Sequence, residues 1–345
     1  MSHARFGENK LMTATTSSAL FAHRDGSRPA PLATALERAL TTGRPETLEW
    51  QEPADEFDEA AALLAIYELW LAPAAMTGGC ERFQNHPAVA ALKWELEARM
   101  LARLESWVQP AVVEDSDVVG ALRRIARADR PPVYEWVATT ASWPELVHFL
   151  AIEGGPDGGF DDLVAISQIG IGGAPKVVLG ANYWDEMGRG DVDAVHTRLH
   201  ERLVAAVEMP RLAYEQLPLS ALHRTALNGL LATNRWLQPE MLGALGLLEL
   251  QAGPRCRQVL RGLARLGAPS EALPFYEEHA ETDPRHGKEW LEQALAPLCE
   301  ETPEWAPRII RGARWRSEAN RRLFEDAATL LTGAEAGLPQ LHQAI

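Results

Sequence analysis

Three residues that commonly bind metals, His279, Asp283 and His286, lie within the short segment 275–290. On an α-helix, offsets of four and seven residues bring three side chains to within roughly 60° of one another, so they project from one face. Helical bundles present metal ligands from facing helices in this way. Pro284 disfavours helical backbone at Asp283, which predicts either a kink or a helix that restarts with Asp283 as its N-cap. The alternative is a polar surface segment whose histidines are incidental.

Two further polar residues interrupt apolar helical patterns. Glu249 lies in the segment 241–253, which is apolar or small on nearly every face, as in a buried helix. A buried carboxylate needs a cation, a hydrogen-bond network or a metal, and a simple ion pair is the alternative to a metal. His196 belongs to an apolar stripe of its predicted helix and therefore faces the core. A hydrogen-bonded core histidine is the commoner explanation of that position, and His200, one turn later, is a rival ligand.

Two more carboxylates follow apolar helical segments. Glu186 lies ten residues before His196, ahead of a glycine-rich break, and its neighbour Asp185 is a possible replacement for it. Glu153 closes a mostly apolar helix, where a solvated helix end is the alternative. Four carboxylates and three imidazoles suit two divalent iron ions, because four negative charges balance two dications and N/O ligands of this kind favour Fe or Mn. The predicted ligands are Glu153, Glu186, His196, Glu249, His279, Asp283 and His286.

The composition excludes several classes of partner. The chain has 345 residues, 46% of them hydrophobic, which is enough for a sizeable core. A formal net charge of −15 and a pI near 5.2 argue against binding nucleic acid or an anionic membrane surface. Three widely separated cysteines predict neither a disulfide framework nor a thiolate zinc site. Since no export signal or membrane span is apparent, we expect a cytoplasmic protein.

Apolar residues recur every three or four positions along most of the chain, and strand patterns are nearly absent, so we predict an all-α fold. Separate helices are predicted over 241–251 and 255–266, on either side of Pro254. The Pro131-Pro132 pair is the best candidate boundary. The predicted organisation is a flexible leader with a short helix (1–45), an N-terminal helical layer (46–130) and a metal-binding helical domain (131–345).

The sequence resembles the heme-oxygenase-like diiron oxidases and oxygenases, also called iron-containing redox enzymes, over roughly residues 140–300. The motifs that carry this resemblance are Glu153 in a first core helix, NYWDEMGRGD followed by His196, GALGLLELQ, and HAETDPRH. The resemblance implies a heme-oxygenase-like bundle that binds no haem and assigns the iron-ligand roles to the seven residues given above. It leaves the N-terminal hundred or so residues unexplained.

The resemblance implies a non-haem diiron enzyme that activates O2 to oxidise a small organic substrate. The outcomes in the family include oxidative cleavage, decarboxylation, desaturation and N-oxygenation. The expected cofactors are two Fe(II) ions, with manganese as an alternative, and O2 as co-substrate. Glu186 and Glu249 are the expected catalytic carboxylates, and a homodimer is one assembly open to the chain. The competing hypotheses are a metal-free protein of the same fold that binds or hydrolyses a small heterocycle, and a non-catalytic interaction protein.

Overall fold

A computed structural model describes residues 23–108, 117–154 and 159–333. These residues form α-helices joined by short turns and contain no strand, which confirms the all-α prediction. In this part of the chain no helix is both long and apolar enough to cross a lipid bilayer. The helices are α1 (Pro31–Thr41), α2 (Glu56–Leu71), α3 (Pro87–Trp107), α4 (Val118–Ala128), α5 (Pro132–Thr139), α6 (Trp143–Gly154), α7 (Phe160–Ser167), α8 (Gly173–Glu186), α9 (His196–Ala206), α10 (Leu219–Thr233), α11 (Gln238–Arg265), α12 (Pro274–Glu289), α13 (Ala296–Glu301) and α14 (Trp305–Thr332).

Local sequence explains where several of these helices begin. The Asp55 side chain accepts a hydrogen bond from the Asp58 backbone N–H and caps α2, and Asp117 caps α4 in the same way through Gly120. Such caps satisfy backbone donors that the first helical turn leaves without partners. Helices α1, α3 and α5 begin with proline, whose fixed φ suits the first helical position.

Helix α11 forms the centre of the fold, with α12 and α14 packed along it. The close approach depends on glycines. A Cβ at Gly243 would lie 1.9 Å from the Ile309 carbonyl oxygen, and one at Gly312 would lie 1.9 Å from the Glu240 carbonyl oxygen. The small residues that the sequence places in α11 therefore do allow a neighbouring helix to pack against its backbone.

Helices α11 and α12 both continue through a proline, so the separate helices predicted around Pro254 and the restart that was one alternative at Pro284 do not occur. The segments 241–251 and 255–266 belong to one helix, α11, which passes through Pro254. Helix α12 likewise passes through Pro284 and does not restart at Asp283. Proline leaves the carbonyl four residues earlier without its helical donor, but Arg257 Nη1 donates to the Ala280 oxygen at 3.0 Å and replaces that bond. Contacts between helices therefore offset the local cost of proline.

After α12 the same helix continues through a π-helical turn, Trp290–Leu295, into α13. Such turns are frequent near functional sites. Trp290 is buried in this turn, and its indole N–H donates to the Leu242 carbonyl of α11 at 3.2 Å. The turn thereby fixes the C-terminal end of α12 against the central helix.

The N-terminal helices share a hydrophobic cluster with the later ones. Leu63 and Ile66 of α2 lie in the same cluster as Leu227 of α10 and Trp315 of α14. A second cluster joins α5 and α6 to the C-terminal parts of α11 and α14. Apolar packing thus continues across the predicted boundary near residue 130, while the division into a layer and a domain stays a prediction. Residues 1–22 of the predicted leader lie outside the described part of the chain.

Candidate metal centre

Four helices bring potential metal ligands together in two groups. The first group is Glu186, His196 and His279, and the second is Glu186, Glu249 and His286. Within each group the candidate ligand atoms lie within 4.8 Å of one another. Glu186 belongs to both groups, so its carboxylate lies between two adjacent sites.

The turn between α8 and α9 places Glu186 next to His196. Gly188 and Gly190 have φ of +60° and +89°, which favours glycine. A Cβ at Gly188 would lie 2.6 Å from the backbone carbon of Ala194, so only glycine fits this close approach. The ten-residue separation in sequence is thereby closed, and Glu186 Oε2 lies 2.6 Å from His196 Nδ1.

His196 is buried, yet neither of its ring nitrogens has an aligned hydrogen-bond partner among the described residues. The short approach to Glu186 lacks hydrogen-bond geometry, as expected when two ligand atoms face a common point. Burial alone would lower the pKa of His196, but the adjacent Glu186 carboxylate outweighs burial and raises it. The imidazole ring lies against that of His279, with 4.6 Å between centroids.

The orientation of His279 is set by its own helix. Its Nδ1 lies 2.6 Å from the Phe275 carbonyl oxygen, which can only accept, so Nδ1 carries the proton and Nε2 offers a lone pair. Burial and the nearby His196 lower the pKa of His279. A neutral imidazole with one free lone pair is the form that binds a metal.

The second group is held by residues of α8. His286 Nε2 lies 2.7 Å from Asp185 Oδ2, and His286 Nδ1 lies 3.6 Å from Glu249 Oε2. Asn182 donates to Glu249 Oε1 at 2.9 Å. Each of these two ligands is therefore held at one polar atom and directs the other into the group.

Asp283 lies beside the second group, with Oδ1 at 4.0 Å from His286 Nδ1. Its Oδ2 is buried without a hydrogen-bond partner in the described residues. Burial, followed by the charges of Glu249 and Glu186, raises the pKa of Asp283 well above its ordinary value. Asp283 therefore lies next to the candidate ligands, and its own role as a ligand stays a prediction.

Glu153 belongs to neither group, but it lines a cavity that is also lined by Glu186, His196 and His279. It accepts a hydrogen bond from the Tyr134 hydroxyl at 3.1 Å. His200, the rival of His196, also lines the cavity outside both groups and packs edge-on against Phe275. The geometry favours His196 over His200, while the assignment of ligands stays a prediction.

A cavity of about 390 Å³ adjoins the two groups. Six of the seven predicted ligands line this cavity, and His286 is the one that does not. Its size suits a small molecule, and its wall mixes apolar and polar side chains. The other lining residues include Phe160, Leu163, Asn228, Leu248, Ala252, Cys256, Tyr276 and Asn320.

The supporting residues on α8 are not among the residues predicted from the sequence. Asp185, a possible replacement for Glu186 by its position in the sequence, contacts His286 instead. Asn182, which has no predicted role, holds Glu249. The signal was present in the spacing, because Asn182, Asp185 and Glu186 lie at positions i, i+3 and i+4 and share one helical face.

The donor set fits divalent metal ions. Glu186, Glu249 and Asp283 are all buried, and none forms an ion pair with Arg or Lys in the described ranges. Buried carboxylates without such partners are costly. Among the predicted ligands, the buried side-chain atoms without a hydrogen-bond partner in the described residues are His196 Nδ1 and Nε2, Asp283 Oδ2 and His286 Nδ1. Imidazole nitrogens and carboxylate oxygens of this kind suit Fe and Mn.

Comparisons with known proteins agree with this donor chemistry. The family model described as iron-containing redox enzyme matches residues 148–321, half of the chain. The matched region contains all the predicted ligands. A comparison with curated proteins finds no relative of the chain.

Proposed function

Because the chain belongs to the family of iron-containing redox enzymes, we propose that it is a non-haem diiron enzyme that uses O2 to oxidise a small organic substrate. The observation that carries this proposal is the position of Glu186, which belongs to two groups of potential ligands. A carboxylate has two oxygens and can bind one metal through each. One shared carboxylate between two histidine-containing groups supports a pair of ions over a single ion.

The residues divide into two proposed sites. Glu186, His196 and His279 would hold one ion, with Glu153 as the further ligand that lines the same cavity. Glu186, Glu249, His286 and Asp283 would hold the other. When bound, the two irons would supply the electrons that reduce O2 and the oxidising power that acts on the substrate.

Glu249 is our candidate for a mobile ligand. Asn182 holds its Oε1, and Oε2 faces His286. With metals bound, the carboxylate of Glu249 could bind through one oxygen or through both, whereas an imidazole offers a single lone pair. Glu249 can therefore change how it binds without movement of the helix that carries it.

Tyr276 is positioned to act on a substrate in the cavity. It lines the cavity, and burial together with the charge of Glu153 raises the pKa of its hydroxyl well above the ordinary value. The phenol therefore keeps its proton and can donate a hydrogen bond. Leu163, Leu248 and Ala252 supply an apolar wall that excludes water from bound substrate.

The metal-free alternative is less well supported by this site. Without a metal, the fold would bury the three carboxylates of Glu186, Glu249 and Asp283 and the unpartnered imidazole nitrogens of His196 and His286 close together, beside the cavity. Such groups each cost free energy, and burial without compensation is rare.

Anaerobic loading followed by exposure to O2 tests the proposal. Protein freed of metal and titrated with Fe(II) should bind about two irons per chain, and the loaded protein should consume O2 when air is admitted. Glu249→Gln should slow this uptake by roughly 10–100-fold, because an amide is a much weaker metal ligand. Zero iron after careful titration, or no oxygen uptake by the loaded wild-type protein, would contradict the proposal.

A further inference from the structure

We propose that Asp185 is a positioning residue that fixes the proton on Nε2 of His286, and thereby makes the Glu249 and His286 group the stronger of the two metal sites. The inference rests on the proposed function. It concerns which group is prepared to receive a metal, and it involves a residue that is not itself a proposed ligand.

Asp185 uses both carboxylate oxygens. Its Oδ2 lies 2.7 Å from His286 Nε2 and 2.6 Å from Arg285 Nη2, and its Oδ1 accepts from Arg189 Nε at 2.6 Å. Its side chain is 10% exposed. Contact with two guanidinium groups favours the ionised carboxylate, which can only accept hydrogen bonds.

These contacts decide the tautomer of His286. Arg285 Nη2 also lies 3.2 Å from His286 Nε2, so an unprotonated Nε2 could accept from that guanidinium. In that case two acceptors, Nε2 and Asp185 Oδ2, would face each other at 2.7 Å, which is repulsive. The proton therefore lies on Nε2. In the neutral ring, which is the form that binds a metal, Nδ1 then has the lone pair, and this atom faces Glu249 and Asp283.

The first group has no equivalent support. His279 donates to a neutral backbone carbonyl, and His196 has no aligned partner on either nitrogen in the described residues. A carboxylate that receives the second N–H of a metal-bound imidazole raises the basicity of the ligand and fixes its ring. Within the described part of the chain, only the group containing His286 shows that arrangement, so the two sites should differ in affinity.

Arg189 connects this support to the turn between α8 and α9. It has a positive φ of 53°, and besides Asp185 it approaches Glu278 of α12 at 3.6 Å. A non-glycine residue in this conformation is uncommon and needs surrounding contacts to hold it. Arg189, in the turn after α8, and Arg285, on α12, therefore both hold the Asp185 carboxylate, which faces α12.

The test is an anaerobic titration of metal-free protein with Co(II), whose visible absorption reports the number and type of its ligands. We expect the wild-type protein to fill in two steps. Asp185→Ala should weaken the tighter step by roughly 10–100-fold and leave the weaker step unchanged. Asp185→Asn keeps an oxygen that can accept from Nε2–H but loses the charge, so its weakening should be smaller.

Asp193→Asn is the matched control. Asp193 lies on the connection between α8 and α9 and pairs with Arg202 at 2.7 Å. Its side chain is 79% exposed, and within the described residues it forms no ion pair with a proposed ligand. Both binding steps should keep their wild-type affinities. Circular dichroism of the metal-free variants should match wild type, because Arg189 and Arg285 are about half exposed and can turn to solvent when Asp185 is removed.

The outcomes separate this inference from the proposed function. If Asp185→Ala fills both sites with wild-type affinity and spectrum, Asp185 does not position His286. If both steps weaken equally, the two sites are not supported differently and the inference is wrong. If the alanine variant does not fold, the asparagine variant decides by the same criterion. Absence of Co(II) binding by the wild-type protein would instead contradict the proposed function itself.

Discussion

Single substitutions in the two ligand groups should remove metals in a set pattern. His279→Ala should leave one metal per chain, since only the group with Glu249 and His286 stays intact. His286→Ala should also leave one metal per chain, bound by the group of Glu186, His196 and His279. Glu186→Ala should leave neither at full affinity, because its carboxylate belongs to both groups.

The magnitude follows from linkage between binding and folding. A metal at a free concentration 100 times its Kd stabilises the folded state by about 2.7 kcal/mol per site, so two sites give about 5 kcal/mol. For a chain of 345 residues the entropy of unfolding is about 0.7 kcal/mol/K, so 1 kcal/mol corresponds to about 1.4 °C in Tm. Metal should therefore raise the Tm of the wild-type protein by about 7 °C and that of either histidine variant by about 4 °C. It should have little effect on Glu186→Ala.

The assay combines elemental analysis with anaerobic thermal unfolding, with and without Fe(II) or Mn(II). His200→Ala is the control, because His200 lines the cavity outside both groups and should leave two metals bound. A Glu186→Ala variant that retains one metal at wild-type affinity would refute the shared carboxylate. Loss of both metals from each histidine variant would indicate one mixed site instead of two.

Two further predictions concern pH and packing. Burial raises the pKa of the Glu68 carboxyl from an ordinary 4.5 to about 8. The contribution of the Glu68 carboxyl to stability is therefore fully present below pH 4.5, and it is lost as the pH rises towards 8. The glutamine of Glu68→Gln stays neutral at every pH. The free energy of unfolding of this variant, relative to wild type, should therefore rise by about 3 kcal/mol between pH 4 and pH 7. Urea titration at both pH values measures this difference, and a difference that does not change with pH would contradict the prediction. A Cβ at Gly287 would lie 3.0 Å from Leu250 Cδ2 and 3.1 Å from the backbone of Glu249. Gly287→Ala should therefore cost about 1–3 kcal/mol and weaken metal binding, and wild-type metal affinity in this variant would show that the helices adjust without moving the ligands.

The helical positions of the candidate ligands were predictable because they depend on local periodicity. His279, Asp283 and His286 needed only the geometry of one helix, and Glu249 needed only the apolar pattern around it. Long-range pairing was not accessible in this way. Asp185 and His286 are 101 residues apart, and nothing local indicates that one receives a hydrogen bond from the other.

The prolines show a similar limit. Pro254 and Pro284 are sound signals of helix ends in isolation, since each removes a backbone donor. Within the fold, Arg257 supplies a donor to the carbonyl that Pro284 leaves without one, and Gly253 leaves room for the proline ring, whose carbons would lie 3.0 Å from a Cβ at that position. Tertiary contacts thus preserve a helix that local sequence would interrupt.

Helices α11 and α12 explain how a site of buried carboxylates can persist in a stable fold. Buried carboxylates repel one another, so Glu249 and Asp283 would separate if their helices were free to do so. Gly287 and Gly253 allow α11 and α12 to pack backbone to side chain on either side of these ligands, and Trp290 fixes the end of α12 by its bond to α11. The helices are therefore held together by packing outside the site. The raised pKa of Asp283 means that this carboxyl takes up a proton when no metal is bound, and a bound cation can replace that proton. A site held together in this way should bind metal more tightly than exposed residues of the same types, because packing elsewhere in the fold already holds its ligands close to one another.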